Sequence, residues 1–155
     1  MNLTHDILAQ ADALCARKGV RLTPTRRRVL EMIAQSQGGA KAYDLLDSLT
    51  AENASARPPT IYRAIDFLMS HGLIHRIESL NAYVSCICPE HHQAYQLLIC
   101  RQCGEVIELH EESLDTQLNE AARLQGFCVE KKTIEVHGLC QNCQTGQPAA
   151  ETAQA

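Results

Sequence analysis

The chain of 155 residues is long enough for one large domain or two small ones, and its hydrophobic fraction of 45% excludes a wholly disordered protein. No apolar run approaches the roughly 18–20 residues that cross a bilayer, and residues 1–20 lack the apolar stretch of a secretory signal, so we expect a cytoplasmic protein. The net charge of -4 is an average over unlike halves. Residues 1–84 carry ten Lys/Arg and eight Asp/Glu, whereas residues 85–155 carry four and ten, which indicates two parts with different tasks.

The first half of the chain has the pattern of helices followed by a two-stranded ribbon. Apolar residues at helical spacing predict four helices, over 3–18, 24–37, 42–53 and 58–71. Thr23 followed by Pro24 is typical of a helix start, since the hydroxyl caps the first turn and proline needs no donor there. Two short strands are predicted over 73–77 and 82–86. This order predicts an N-terminal winged helix-turn-helix DNA-binding domain over residues 1–85.

The fourth predicted helix separates an apolar face from a polar one. Ile61 and Leu68 share one side of a helical wheel and Arg63 lies opposite them. A guanidinium at this position can make a bidentate contact with the edge of a guanine in the major groove. A polar helix face that is simply solvated is equally common. The order of helices and ribbon around this helix favours DNA binding. One arginine of the run 26–28 is expected to pair with a local acid such as Glu31. The candidate DNA-binding residues are Thr60, Tyr62, Arg63, Arg26 and Lys41.

The second half of the chain alternates between strand and helix patterns. Strands are predicted over 95–100, 105–109 and 129–136. A helix is predicted over 111–125, with an inward face made of Leu114, Leu118, Ala121 and Leu124. The fold class is therefore α+β, with a hinge or linker over 86–94, a second α/β domain over 95–143 and a disordered tail over 144–155.

The eight cysteines point to metal binding more than to disulfides, because a reducing compartment disfavours disulfides. Cys100 and Cys103 form one Cys-x2-Cys knuckle, and Cys140 and Cys143 form a second. Four thiolates presented in this way can close a tetrahedron around a structural zinc ion. A redox pair of the thioredoxin type needs a single such knuckle at the start of a helix, so two knuckles favour zinc.

A second group of possible metal ligands surrounds the predicted domain boundary. Its members are His75, Cys86, Cys88, His91, His92 and Glu108. A lone histidine is usually a surface or core residue, but clustering raises the weight of each member. A mixed set of nitrogen, sulfur and oxygen ligands holds a metal less tightly than four thiolates, as a reversible sensor requires. Ligands drawn from both domains would let the metal fix the angle between them.

Four segments of the sequence resemble the Fur family of metalloregulators. They are Thr23-Pro24-Thr25-Arg26, residues 58–68, His75-Arg76-Ile77-Glu78 and Cys100-Arg101-Gln102-Cys103-Gly104. The resemblance covers about residues 3–143, and two segments, 58–68 and 137–140, are similar to the zinc-uptake branch of the family. It implies a homodimer with a C-terminal dimerisation domain, which binds palindromic double-stranded operator DNA and represses transcription when the sensed metal is bound.

The resemblance also implies roles for single residues. Cys100, Cys103, Cys140 and Cys143 match the structural zinc ligands, and Tyr62 with Arg63 matches the DNA-reading pair. His75, Cys86 and Glu108 match three of four regulatory ligands, which gives two zinc ions per chain. The histidine-rich stretch before the first knuckle is spaced differently here. His92 is favoured as fourth ligand because it lies nearer the following strand, with His91 as the alternative and Cys88 as a competing soft ligand.

The identity of the sensed metal can be argued separately. A thiolate in the regulatory site favours zinc over ferrous iron, which prefers harder ligands. Iron and peroxide sensors of this family also draw a histidine from ahead of the recognition helix, and no histidine occurs between His5 and His71. The sequence therefore predicts a zinc-responsive repressor of zinc-uptake genes, with an iron or peroxide sensor as the alternative. It offers no His-Glu-x-x-His helix and no nucleophile with a paired base, so an enzyme is not expected.

Overall fold

The computed structural model describes residues 3–91 and 94–146. It divides the chain into two compact units, Met1–Gln93 and Ala94–Ala155, and this division falls within the segment 86–94 predicted as a linker. Among the helices of the described ranges, none combines the length and apolarity needed to cross a membrane.

The first unit contains four helices and a β-hairpin, in the predicted order. The helices are α1 (Leu3–Lys18), α2 (Pro24–Gln35), α3 (Ala42–Glu52) and α4 (Pro58–Ser70). The hairpin pairs β1 (Ile74–Ile77) with β2 (Ala82–Ser85) in antiparallel register. Thr23 caps α2 as its sequence predicts, because its hydroxyl oxygen accepts the backbone N–H of Arg26 at 3.4 Å.

One apolar core holds this unit together. It buries the inner faces of all four helices, with Val29, Leu30, Ile61, Ile65 and Leu68 among its members. Since these residues recur at helical spacing along α2 and α4, their burial fixes the rotation of each helix. The opposite face of α4, which carries Tyr62 and Arg63, is thereby turned to solvent.

The connection between α2 and α3 docks against the hairpin. Ala40 and Tyr83 exchange two backbone hydrogen bonds of 2.8 Å, which adds an isolated bridge to the edge of β2. Gly39 precedes this bridge with φ at +90°, and an added Cβ would lie 2.9 Å from Ile77 Cδ1 and 3.3 Å from the Tyr83 carbonyl oxygen. Only glycine fits this close approach without strain.

The second unit contains a three-stranded sheet with two helices. Its elements are β3 (Gln96–Cys100), β4 (Val106–Leu109), α5 (Glu112–Leu124), β5 (Glu135–Gly138) and α6 (Gln141–Thr145). The strand order is β4-β3-β5, with β3 antiparallel to β4 and parallel to β5. The predicted α+β fold class is confirmed.

The strand predicted over 129–136 is wrong at its start, because β5 begins only at Glu135. Within the preceding segment, the Lys132 ammonium donates to the carboxylate of Asp115 and to the side-chain oxygen of Asn119, both on α5. This partly buried contact ties the segment to the helix instead of to the sheet. At the other end of the unit, α6 runs through Thr145, two residues into the predicted tail; residues 147–155 lie outside the described residues.

The apolar face of α5 is exposed within the single chain, contrary to the prediction that it points inward. Leu114, Leu118, Ala121 and Leu124 are all exposed. Cys128 is exposed as well, whereas Cys15 is buried. Periodicity identifies an apolar face, but it does not say whether that face is covered by the same chain.

Replacing Gly39 by alanine should destabilise the first unit. The positive φ alone costs about 1–3 kcal/mol for a residue with a side chain, and the overlap with Ile77 adds to this. Gly19→Ala is the matched control, since Gly19 has φ at +66° but no atom within 4 Å of the added Cβ. Urea unfolding followed by circular dichroism should show a larger loss for Gly39→Ala; equal losses would contradict the close approach.

Candidate metal centres and nucleic-acid interface

The four knuckle cysteines come together in the second unit. The Sγ atoms of Cys100, Cys103, Cys140 and Cys143 all lie within 4.8 Å of one another, and those of Cys103 and Cys140 are 3.7 Å apart. A disulfide would require about 2.05 Å. A tetrahedral zinc ion with Zn–S bonds of about 2.3 Å places its sulfurs about 3.8 Å apart. The spacing therefore fits zinc.

Sheet topology brings the two knuckles to one place. Cys100 is the last residue of β3 and pairs with Gly138, the last residue of the parallel strand β5. Parallel strands end at the same edge of a sheet, so the residues that follow them meet although 36 residues separate Cys103 from Cys140. The backbone N–H of Cys140 also donates to the Cys100 sulfur at 3.4 Å, which links the knuckles directly.

The electrostatics of this cluster call for a cation. Backbone N–H groups of Cys103 and Cys140 lower the pKa of the Cys100 thiol to about 6. Burial, followed by hydrogen bonds with the neighbouring thiols, raises the pKa of Cys143 to about 12. At neutral pH the four sulfurs therefore cannot all be thiolates on their own. A divalent cation resolves this conflict, because zinc binds the deprotonated form and releases the protons.

His75 and Cys86 meet in the first unit. His75 lies on β1 and Cys86 follows β2, where its backbone N–H donates to the Leu73 carbonyl at 2.9 Å. Both side chains are buried, and a ring nitrogen of His75 lies within 4.8 Å of the Cys86 sulfur. A tetrahedral zinc places such a nitrogen and sulfur about 3.6 Å apart. The hairpin thus presents a nitrogen and a sulfur ligand close enough to share one ion.

Glu108 belongs to the second unit, on β4 opposite Leu97. Its carboxylate Oε1 is 2.6 Å from Nε2 of His110. His110 is not among the candidate residues named from the sequence, and the structure adds it as a partner of Glu108. The available signal was its spacing of two residues from Glu108, because His110 directly follows β4 and the alternation of a strand places residues two apart on the same face.

The fourth regulatory ligand stays a prediction. His92 lies outside the described residues, and His91 is described only as the end of a short 3-10 turn, Pro89–His91. Cys88, the competing soft ligand, is exposed.

The candidate DNA-reading residues lie on the outer face of α4. Tyr62 is 54% exposed and Arg63 is exposed, whereas Thr60 in the first turn is half-buried. Lys41 is exposed at the start of α3. An exposed guanidinium and phenol on one helix face can enter a major groove.

Arg26 differs from this group because it already has partners in its own unit. Its guanidinium lies 3.7 Å from the centre of the Phe67 ring and donates to the Arg21 carbonyl at 2.7 Å. Phe67 belongs to α4, so this cation–π contact braces the helix that carries Arg63. A direct contact of Arg26 with DNA stays a prediction.

The other two arginines of the run form ion pairs. Arg27 pairs with Asp12, and Arg28 pairs with Glu31 at 2.6 Å and with Glu52. The predicted pairing with Glu31 is confirmed. Arg28 also holds the pKa of Glu52 below its ordinary value through their hydrogen bonds. Much of the positive charge of this run is therefore neutralised within the first unit.

Comparisons with known proteins agree across both units. The model of the ferric uptake regulator family matches residues 17–137. The zinc uptake regulation protein of Escherichia coli (strain K12) is 43% identical over 143 residues, which cover 90% of this chain and 82% of that protein. A zinc uptake regulator solved with zinc and DNA is 40% identical with a TM-score of 0.85, covering 92% of this chain and 96% of that one. Holo XcZur is also 40% identical, with a TM-score of 0.83 and coverages of 90% and 98%.

Replacing Cys103 by serine should remove one zinc ion per chain, because three remaining thiolates no longer close the tetrahedron. Loss of a structural zinc also removes folding free energy, so the midpoint temperature of thermal unfolding of the second unit should fall. Metal analysis and thermal unfolding would measure both effects. Cys128→Ser is the control, since Cys128 is exposed and outside the cluster. Unchanged zinc content in Cys103→Ser would contradict the assignment.

Proposed function

Because the chain belongs to the ferric uptake regulator family, we propose that it is a zinc-responsive transcriptional repressor that controls zinc-uptake genes. It acts in the cytoplasm as a homodimer on palindromic operator DNA, and it is a regulator, not an enzyme. The observation that carries this proposal is the placement of His75 beside Cys86, with a ring nitrogen within 4.8 Å of the sulfur.

Two zinc ions per chain have different tasks in this proposal. The four-thiolate set of the second unit holds a structural ion, because a closed set of four protein ligands leaves no position for chemistry. The regulatory ion is held by His75 and Cys86 of the first unit, Glu108 of the second unit, and His92, with His91 as the alternative. A ligand set contributed by both units makes zinc occupancy select their relative orientation.

The chemistry of the regulatory set favours zinc. Cys86 provides a thiolate, which binds zinc better than ferrous iron at comparable geometry. Both Cys86 and His75 are buried, and a metal ion binds the thiolate form of a cysteine. The relatives described above that were solved with zinc, or named for zinc uptake, agree with this choice of metal.

The first unit supplies the DNA contacts. Arg63 and Tyr62 extend from the exposed face of α4, and Thr60 lies in its first turn, where backbone N–H groups attract phosphate. Lys41 adds a charge contact with the DNA backbone, and Arg26 adds one if its stacking on Phe67 leaves donors for phosphate. Two copies of α4 in a dimer would enter successive major grooves of a palindrome.

Exposed apolar surface in the second unit supports the homodimer. The face of α5 described above is one part of it. Strand register aligns a second part across the sheet, where Ile107, Leu98 and Val136 occupy neighbouring strands. Ile107 and Val136 are both exposed. Apolar patches of this kind mark protein–protein interfaces, and a second copy of the chain is the partner proposed here.

Replacing Arg63 by alanine should weaken binding to the operator, because one bidentate contact with guanine contributes roughly 1–3 kcal/mol. We expect a loss of about 5–150-fold for each half-site, measured by fluorescence anisotropy with excess zinc at fixed salt. Zinc content and dimer mass should not change. Arg123→Ala is the control, since Arg123 is exposed on α5 and pairs only locally with Glu120. Loss of dimers in Arg63→Ala would contradict the assignment of this face.

Replacing Cys86 by serine should leave one zinc ion per chain and abolish the effect of zinc on DNA affinity. Coupling free energies of about 1–3 kcal/mol are typical of such switches, so wild-type affinity should rise about 5–150-fold with zinc while that of the variant stays constant. Titration of operator DNA at buffered zinc concentrations measures this.

The control for this experiment is Cys88→Ser, which should keep the response. If Cys88→Ser loses it instead, the sulfur ligand is Cys88. If ferrous iron but not zinc restores DNA binding by the wild type, the protein is an iron or peroxide sensor and the proposed function is wrong.

A further inference from the structure

The contact between His110 and Glu108 has a defined direction. The two side chains lie on one face at the end of β4, with His110 Nε2 2.6 Å from Glu108 Oε1. A glutamate that binds zinc is ionised, and an ionised carboxylate only accepts hydrogen bonds, so in that state the ring nitrogen is the donor. The Glu108 side chain is 3% exposed and that of His110 is 23% exposed. At this burial water competes little for the hydrogen bond, which keeps it strong.

The backbone around this pair is fixed by a buried amide. Gln96 of β3 is 2% exposed, and its side-chain oxygen accepts the backbone N–H of Glu111 at 3.2 Å. Gln96 also pairs with Leu109 in the strand register. His110 lies between Leu109 and Glu111, so its backbone is anchored on both sides.

We propose that His110 is a positioning residue for Glu108, which it orients as a zinc ligand. This inference rests on the proposed function, in which Glu108 holds the regulatory ion. A carboxylate held at one oxygen samples fewer orientations, so less conformational entropy is lost when the metal binds. Hydrogen bonds to metal-ligating side chains typically contribute 10–100-fold to metal affinity.

A second Glu-x-His pair on the same sheet lacks this buried hydrogen bond. Glu135 and His137 lie on β5, on the other side of β3. The His137 ring nitrogen is 3.6 Å from the Glu135 carboxylate, beyond hydrogen-bond length, and its side chain is 46% exposed. The same two residue types at the same spacing therefore supply a matched control within the unit.

The test measures affinity for the second zinc in the full-length protein, after the four-cysteine site has been loaded with zinc. Competition with a chromophoric chelator gives the dissociation constants of wild type, His110→Ala, His110→Gln and His137→Ala. We expect His110→Ala to bind the second zinc 10–100-fold more weakly. His110→Gln retains an N–H donor and should recover most of the affinity, and His137→Ala should equal the wild type.

Cobalt absorption separates positioning from direct ligation. With Co²⁺ in the second site, His110→Ala should keep the wild-type ligand-field bands and the thiolate charge-transfer band, because no ligand is lost. Shifted bands would show that His110 is itself a ligand and would overturn the positioning role. Unchanged zinc affinity in His110→Ala would overturn it too, as would an equal loss in His137→Ala.

Failure of the proposed function gives a different result. If the wild type binds no second zinc, or binds one without effect on DNA affinity, the proposed regulatory site is wrong. The wild-type protein alone shows this outcome, so it is distinct from any result with the variants. Zinc content of the four-cysteine site and circular dichroism show whether each variant is folded. Should His110→Ala fail to fold, His110→Phe, which keeps a ring but no donor, takes its place: weaker binding of the second zinc than in His110→Gln supports the role, and equal binding contradicts it.

Discussion

The second unit depends on one constraint, the clustering of four cysteine sulfurs within 4.8 Å of one another. The Cys100 and Cys143 thiols differ widely in pKa, because backbone N–H groups lower that of Cys100 whereas burial and then hydrogen bonds with neighbouring thiols raise that of Cys143. A divalent cation is the simplest way to hold all four sulfurs as thiolates. A cation bound by all four sulfurs would also crosslink the two Cys-x2-Cys knuckles, and the unit needs this crosslink. Its sheet has only three strands, and the apolar face of α5 is exposed within the chain. Small units with little buried apolar surface commonly depend on metals or oligomers for stability.

In the proposed function, the two sets of candidate metal ligands differ as a permanent and a reversible site should. Four thiolates at the ends of parallel strands are placed by the sheet itself, so their ion belongs to the fold. His75 and Cys86 are placed by a hairpin in the other unit, and Glu108 is held by a histidine. In the proposed function these groups meet only around zinc, which ties the geometry of the DNA-reading helix to the zinc concentration. The face that carries Arg63 needs no metal to form, since the apolar core fixes α4.

Sequence patterns predicted correctly those features that depend on residues close together in the chain or on the spacing of metal ligands. The cap of α2 at Thr23, the outward position of Arg63 and the meeting of the Cys-x2-Cys knuckles follow from hydrogen bonding, helical period and ligand spacing. The start of β5 and the exposed face of α5 depend on longer-range contacts. Lys132 binds to α5 instead of extending the sheet, and a pattern of apolar residues does not identify the chain that covers it. His110 was missed for a related reason, because its role depends on a neighbour's side chain.

Thermodynamic linkage gives the most direct test of the central claim, that one zinc ion couples the two units to DNA binding. If filling both regulatory sites of the dimer raises operator affinity, operator DNA must raise the affinities for these two zinc ions, and the product of the two factors must equal that rise. Chelator competition with and without a saturating palindromic operator duplex measures these two factors. The predicted result is a combined tightening over the two sites of the dimer of about 5–150-fold, equal to the effect of zinc on DNA affinity. A zinc affinity that is the same with and without the duplex would contradict the account.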